Sequence, residues 1–138
     1  LHIVFSMIQR LYAAHKPDTS VYASAEFVRQ FRRLVALHYN EQRTLQFYAD
    51  SLGVTAAHLS ERVKAVTGFT ASQIVRQEIT LEAKRLLINT DLTVDQISYK
   101  LRFNDPAYFG RFFKRETSAS PGRYRQEMRA KYRLSEVQ

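Results

Sequence analysis

Apolar residues recur three and four positions apart along most of the chain, which is the spacing of one buried face of an α-helix. This spacing predicts a helix over residues 25–39 and a longer helix from Thr70 to about Asn89. Further helices are predicted to begin at residues that favour a helix start, namely Thr44, Thr55, Thr93, Pro106 and Ser120. Four glycines and three prolines among 138 residues are few for a fold of strands and loops. The chain is therefore predicted to be all-α.

The two ends of the chain are assigned by the same pattern. Residues 1–16 place several apolar side chains on one helical stripe, which either packs on the domain's own surface or pairs with a partner. The stripe ends near the helix-breaking Lys16-Pro17-Asp18, and residues 17–24 are predicted to be a linker. The last helix is predicted to run through Tyr132, and residues after Arg133 are expected to fray.

One helical pattern occurs twice along the chain. Thr44 and Leu52-Gly53-Val54 correspond to Thr93 and Leu101-Arg102-Phe103, which lie 49 residues later. A second helix follows each copy, and its apolar and basic positions repeat at a spacing of 50 residues: Leu59, Val63 and Lys64 correspond to Phe109, Phe113 and Lys114. A short helix, a tight turn and a second helix form the motif that places side chains in the major groove of DNA.

This duplication predicts the domain organisation. Residues 1–22 form an amino-terminal segment, and residues 23–133 form a double helix-turn-helix domain. Within that domain, residues 23–69 and 91–133 are the two subdomains, and a linker helix at 70–90 joins them. Twenty helical residues span about 30 Å, close to the ~34 Å of one turn of B-DNA. The recognition helices, at about residues 55–66 and 106–117, are therefore predicted to enter successive major grooves.

Charge and composition narrow the class of partner. The net charge of +8 favours a polyanionic partner such as nucleic acid. Lysine and arginine side chains that bind phosphates release the counterions condensed on the nucleic acid, which favours binding. The chain has no cysteine, no close pairing of its four histidines and no glycine-rich phosphate loop. It is thus predicted to be no enzyme and to hold no metal and no cofactor. No apolar run approaches the roughly 18 residues of a membrane span, so no membrane partner is predicted.

The DNA-facing side of each recognition helix follows from its buried side, at a step of about 100° per residue. Together with residues at the helix starts, this gives the candidate base contacts Ala57, His58, Ser60, Glu61, Pro106, Ala107, Gly110 and Arg111. The candidate phosphate contacts are Thr55, Lys64, Asn104, Lys114, Arg115, Ser120, Arg123 and Arg125.

Three of these candidates have distinct chemistry and open alternatives. The planar fork of Arg111 matches O6 and N7 of guanine, although a phosphate contact or a pair with a nearby acid is the alternative. Glu61 repels phosphate but can accept a hydrogen bond from cytosine N4, unless it is simply an exposed or ion-paired acid. His58 either contacts a base or phosphate or packs on the surface.

The second copy resembles a known family signature. Residues 97–125 are similar to the carboxyl-terminal signature of the DNA-binding domain of AraC/XylS-family bacterial transcription regulators, at Ile97, Leu101, Phe103, Asp105, Tyr108-Phe109, Arg111, Phe113-Lys114-Arg115, Ser120-Pro121 and Tyr124-Arg125. The resemblance covers roughly residues 25–130. Arg102 and Ser118 stand where the family usually has Gly, and Glu61 stands where Arg is common. A left-handed backbone at Arg102 or Ser118 would cost about 1 kcal/mol.

The resemblance implies that the chain is the double-stranded-DNA-binding half of a bacterial transcription regulator, cytoplasmic and associated with the nucleoid. It also implies contact with RNA polymerase and a homodimer formed through residues 1–16 or through an amino-terminal domain that this chain lacks. Residues 1–22 would then be a helical remnant of that domain. The degenerate first copy leaves an alternative open, a protein-interaction module whose helix-turn-helix units no longer read DNA.

Overall fold

The computed structural model describes residues 17–41 and 44–137, so the helix predicted over residues 1–16 lies outside the described residues. The described residues form seven helices, α1 (Pro17–His38), α2 (Leu45–Ser51), α3 (Ala56–Thr67), α4 (Ala71–Asn89), α5 (Val94–Lys100), α6 (Pro106–Thr117) and α7 (Pro121–Val137). The all-α prediction is confirmed. None of these helices combines the length and the apolar character that crossing a membrane requires.

Side-chain caps start these helices at the predicted Thr44, Thr55 and Thr70 and, before the predicted Pro106, at Asp105. Thr44, Thr55 and Asp105 each accept a hydrogen bond from a backbone amide of the first turn that follows. At the start of α4 the cap is reciprocal: Thr70 Oγ1 accepts from the amide of Gln73 at 3.1 Å, and Gln73 Oε1 accepts from the amide of Thr70 at 2.8 Å. These caps satisfy amides that a helix start leaves unpaired.

Both ends of the described chain are more helical than the sequence predicts. The linker predicted over residues 17–24 is wrong, because α1 begins at Pro17. Proline suits the first helical position, where its missing N–H is not needed, so Pro17 is compatible with the start of a helix. At the other end α7 continues to Val137, beyond Arg133, where fraying was expected.

The linker helix α4 is the centre of the fold. It packs against α1 and α3 of the first subdomain and against α5, α6 and α7 of the second. The buried side chains of both halves form one continuous core, whose largest fully buried members include Phe31, Tyr48, Leu59, Ile74, Leu86, Ile97, Phe109 and Phe113. Each such side chain contributes about 1.5–3 kcal/mol by its burial. The linker is therefore held along its length.

Polar contacts add to this packing in the middle of α4 and at its carboxyl end. Arg32 Nη1 of α1 lies 3.4 Å from Glu78 Oε1 of α4. At the carboxyl end, Arg129 Nη2 of α7 donates to the carbonyl oxygen of Thr90 at 2.9 Å and to Asp91 Oδ1 at 3.1 Å. The bond to Thr90 satisfies a carbonyl group at the end of α4, where the helix leaves such groups unpaired.

Candidate nucleic-acid interface

The first helix-turn-helix unit (α2 and α3) and the second (α5 and α6) share one turn geometry. In the first, the amide of Gly53 donates to the carbonyl of Asp50 at 3.1 Å, and φ of Gly53 is 70°. In the second, the amide of Arg102 donates to the carbonyl of Tyr99 at 3.0 Å, and φ of Arg102 is 66°. The duplication in the sequence is therefore a duplication of backbone structure, with Arg102 in the left-handed conformation.

The carboxyl ends of the two recognition helices, α3 and α6, also match. Gly68 ends α3 with φ of 77°, and Ser118 ends α6 with φ of 72°. The hydroxyls of the preceding Thr67 and Thr117 donate to the carbonyls of Val63 and Phe113 at 2.7 and 2.8 Å, respectively. Ser118 is thus the second residue with a side chain at a left-handed position that the first unit fills with glycine.

Each recognition helix buries the predicted side and exposes the other. Leu59 and Val63 in α3, like Phe109 and Phe113 in α6, are fully buried. On the opposite face, the exposed residues are Ala57, Glu61 and Lys64 in α3 and Ala107, Arg111 and Lys114 in α6. Ser60 and Gly110 are half-buried. The predicted faces are confirmed, and their contact with DNA stays a prediction.

The starts of the recognition helices carry the remaining candidates. His58 is exposed, and its amide donates to the Thr55 hydroxyl at 3.0 Å. In the second unit, Asp105 caps α6 by accepting from the amide of Ala107 at 3.0 Å, and Pro106 is half-buried in the first turn. Asn104 is exposed in the turn before it. These residues surround the two helix starts, which is where a recognition helix meets base edges.

The first unit also contains a contact that the apolar pattern did not reveal. Arg62 of α3 holds its guanidinium 4.8 Å from the centre of the Phe27 ring of α1. The equivalent residue of α6, 50 positions later, is the buried Phe112. A cation over an aromatic ring is attractive, so Arg62 takes a packing position that an apolar residue fills in the second unit. In the sequence, the packing role of Arg62 is indicated only by its correspondence to Phe112 in the second copy of the repeat.

Most basic side chains of the described residues already have partners. Carboxylates pair with Arg29, Arg32, Arg76, Arg85, Arg115, Arg123 and Arg129. Arg62 and Lys84 lie over aromatic rings, and Arg125 donates to backbone carbonyls. Within the described part of the chain, the lysine and arginine side chains with none of these partners are Arg33, Lys64, Lys100, Arg102, Arg111, Lys114, Lys131 and Arg133. Five of these side chains belong to the helix-turn-helix units. Lys64 is in the first unit, and the other four are in the second. Cations that the fold leaves unpaired remain available to an external anion.

Arg125, one of the candidate phosphate contacts, makes hydrogen bonds within the fold. Its Nε donates to the carbonyl of Leu87 at 2.9 Å and its Nη2 to that of Thr90 at 3.3 Å. Burial, and next the neighbouring Arg129, lower the pKa of Arg125 from its ordinary value. Because its guanidinium is half-buried and donates to these two carbonyls, we expect Arg125 to brace the end of α4 and not to contact phosphate.

Three other phosphate candidates lie beyond the start of α6. Arg123 Nε pairs with Glu127 Oε1 at 2.8 Å, with its side chain largely exposed. Ser120 Oγ accepts from the amide of Arg123 at 3.2 Å and so begins α7. The Arg115 guanidinium lies 6.0 Å from the centre of the Phe112 ring. All three are near the surface, but each also has a structural contact.

A cleft of about 300 Å³ separates the two units and is bordered by Leu45, Arg76, Tyr108 and Arg115 among others. Arg76 Nε and Arg115 Nε both face Glu116 Oε1, at 3.3 and 3.9 Å.

Among the residues that the structure describes, no group of three or more histidine or carboxylate side chains is placed to hold a metal ion.

Comparison with known proteins identifies the same motif. A family model described as a helix-turn-helix domain matches residues 48–127. The chain is 32% identical over 89 residues to the HTH-type transcriptional activator RhaS of Enterobacter sp. (strain 638), an alignment that covers 64% of this chain and 32% of RhaS. It is 35% identical over 86 residues to histidine kinase P4 of Formosa agariphila, covering 62% of this chain and 6% of that protein. The chain therefore spans a third or less of these relatives.

A solved structure gives the same result. The DNA-binding domain of AdpA, a global transcriptional factor crystallised with a target DNA, matches with a TM-score of 0.66 and 27% identity, over 78% of this chain and 94% of that one. The family match covers more than half of the chain and includes all of the second helix-turn-helix unit and all but the first three helical residues of the first. The chain belongs to the helix-turn-helix domain family of the AraC type.

Proposed function

We propose that this chain binds double-stranded DNA sequence-specifically, as the DNA-binding part of a bacterial transcription regulator, with α3 and α6 in successive major grooves. The observation that carries the proposal is the repeated unit itself. Both recognition helices expose the same face, begin at a side-chain cap and end at a left-handed residue, and unpaired cations lie on both copies and concentrate on the second. The activator name of RhaS and the target DNA bound to AdpA support it.

In this proposal the base contacts come from the exposed face and start of each recognition helix. Arg111 reads guanine through its two parallel donors, and Glu61 accepts from cytosine N4. Ala57 and Ala107 are small, so they allow each recognition helix to approach the base edges closely, and their methyl groups can contact thymine. The remaining base contacts are proposed at His58, Ser60, Pro106 and Gly110.

Phosphate contacts then fix the position of the domain on the duplex. Lys64 and Lys114 occupy equivalent exposed positions and have no partner among the described residues, so we assign them to phosphates. Thr55, Asn104, Arg115, Ser120 and Arg123 remain candidates. Helix α4, which at 19 residues is about 28 Å long, holds the spacing of the two units.

The broader biology is proposed on the same basis. Contact with RNA polymerase and a homodimer, formed through residues 1–16 or through a further domain, are proposed for the regulator as a whole. Because bacterial DNA lies in the cytoplasm, a nucleoid-associated cytoplasmic location follows from DNA binding. The family is a class of DNA-binding domains and not an enzyme class, so no catalytic role is proposed for this chain.

Salt dependence distinguishes DNA binding from a protein-interaction role. The affinity for a mixed-sequence duplex, measured by fluorescence anisotropy at increasing salt, is expected to fall linearly on logarithmic axes with a slope of several units. Apolar association with a protein partner would be nearly independent of salt. Absence of salt-dependent duplex binding would contradict the proposed function and favour the interaction module.

A further inference from the structure

The turn of the second helix-turn-helix unit carries positive charge that the turn of the first lacks. By the repeat, Arg102 occupies the position of Gly53, and Lys100 that of Ser51. Lys100 and Arg102 are exposed, and neither side chain has a hydrogen-bond or ion-pair partner among the described residues. The two turns therefore have the same backbone and different charges.

The conformation of Arg102 is unfavourable for a residue with a side chain. Its φ of 66° lies in the left-handed region, which glycine adopts without the penalty that a Cβ brings. At the equivalent position, a Cβ built on Gly53 meets no atom within 4 Å. Glycine is therefore favoured there by the left-handed backbone conformation and not by a steric clash with neighbouring residues. The exposed Arg102 guanidinium makes no hydrogen bond or ion pair with the described residues, so no such contact offsets the cost of this backbone conformation.

We propose that Arg102 and Lys100 bind phosphate groups of the DNA backbone beside the groove that α6 enters. In a helix-turn-helix motif the first helix crosses the backbone while the second reads bases. Because the turn directly precedes the start of α6, this docking would bring the end of α5 and the turn close to the backbone that borders the groove. This inference rests on the proposed function and adds two contacts to it.

The neighbouring acids leave these cations available. The Asp105 carboxylate accepts from the amide of Ala107 and serves as the cap of α6. Asp95 lies in the first turn of α5, one helix length away from the turn that carries Arg102. With Arg111 and Lys114, the second unit holds four unpaired cations among the described residues, against Lys64 alone in the first. The second unit is thus the electrostatic anchor, and the first adds base contacts.

The test uses Arg102→Gly, because this one change has opposite effects on folding and on binding. Thermal unfolding is expected at a midpoint about 3 °C higher, since glycine relieves the left-handed strain. Affinity for a mixed-sequence duplex at moderate salt is expected to fall about fivefold to tenfold. The slope of log affinity against log salt is expected to shrink by about 0.9, the value for one lost phosphate contact.

Matched variants separate the two effects. Ser118→Gly relieves the other strained position, far from the turn, and is expected to raise the unfolding midpoint without changing the affinity or the salt slope. Arg102→Lys keeps the charge and is expected to retain most of the affinity. Lys100→Ser, which copies the first unit, is expected to reduce the salt slope as Arg102→Gly does.

Two results would overturn the inference in different ways. If the unchanged chain binds duplexes with strong salt dependence while Arg102→Gly and Lys100→Ser bind equally well with the same slope, the turn does not contact phosphate and the proposed function stands. If the unchanged chain shows no salt-dependent duplex binding, the proposed function itself fails and this inference fails with it.

Discussion

Arg76 Nε lies 3.3 Å from Glu116 Oε1, and this ion pair joins the linker helix α4 to the last turn of the recognition helix α6. Arg115 Nε approaches the same oxygen at 3.9 Å. Because α4 also packs against α1 and α3, one carboxylate connects the second recognition helix to the element that supports the first. The pair is placed to control how the two units are oriented relative to each other.

Glu116→Gln is expected to change DNA binding more than stability. A partly exposed ion pair contributes about 1 kcal/mol or less to the free energy of unfolding, so thermal unfolding should shift little. Affinity for a duplex with sites for both units should fall more than affinity for a duplex with one site. Glu26→Gln, which breaks the exposed pair with Arg29 on α1, is the control and should affect neither. Equal losses on both duplexes would show that the pair does not set the orientation.

Ser98→Ala is expected to stabilise the protein. The Ser98 hydroxyl is buried without a hydrogen-bond partner among the described residues, and the equivalent residue of the first unit is the buried Ala49. Removing an unpaired buried hydroxyl should raise the free energy of unfolding by about 1 kcal/mol, measured by urea denaturation. The reverse change, Ala49→Ser, should lower it. A lower stability for Ser98→Ala would mean that the hydroxyl does have a partner.

Arg125→Met tests the reassignment of Arg125. Its bonds to the carbonyls of Leu87 and Thr90 involve a charged donor, so their loss should cost about 1.5–3 kcal/mol of folding free energy. The salt slope of duplex binding should not change, because we expect the guanidinium to brace α4 and not to contact phosphate. A reduced slope with unchanged stability would return Arg125 to the phosphate contacts.

Replacing Arg111 is expected to change the DNA sequence preference, whereas replacing Lys114 is expected to leave that preference unchanged. Arg111→Ala should cost about 1–3 kcal/mol of binding free energy at the preferred site and relax the preference at one base pair. Lys114→Ala should weaken binding to all sequences alike and reduce the salt slope by about one unit. Competition between duplexes that differ at single base pairs measures both effects. An unchanged preference for Arg111→Ala would exclude direct base reading by this residue.

Local signals in the sequence predicted most of the fold. Thr44, Thr55, Thr70 and Thr93 each cap the helix that was expected to follow, because a capping hydroxyl acts on amides only two or three residues away. The buried faces of α3 and α6 also followed from spacing alone. Pro17 was misread because proline both breaks a helix and suits its first position.

Contacts between distant residues could not be predicted in this way. Arg125 and Arg129 read as part of a basic run, but α7 places them on the end of α4, 35 to 39 residues away in the chain. Likewise Arg62 looks like a surface cation until α1 brings Phe27 beneath it. Whether a charged side chain is free for DNA depends on such long-range packing, so the list of phosphate contacts changed while the recognition faces did not.

Selection of bound duplexes from a random DNA library at moderate salt tests the central claim most directly. Two recognition helices on one rigid linker predict an enriched site with two short conserved blocks about one helical turn apart, with guanine dependent on Arg111 in the block that α6 reads. Absence of any enriched sequence, under conditions where the chain still binds DNA, would contradict paired major-groove reading by α3 and α6.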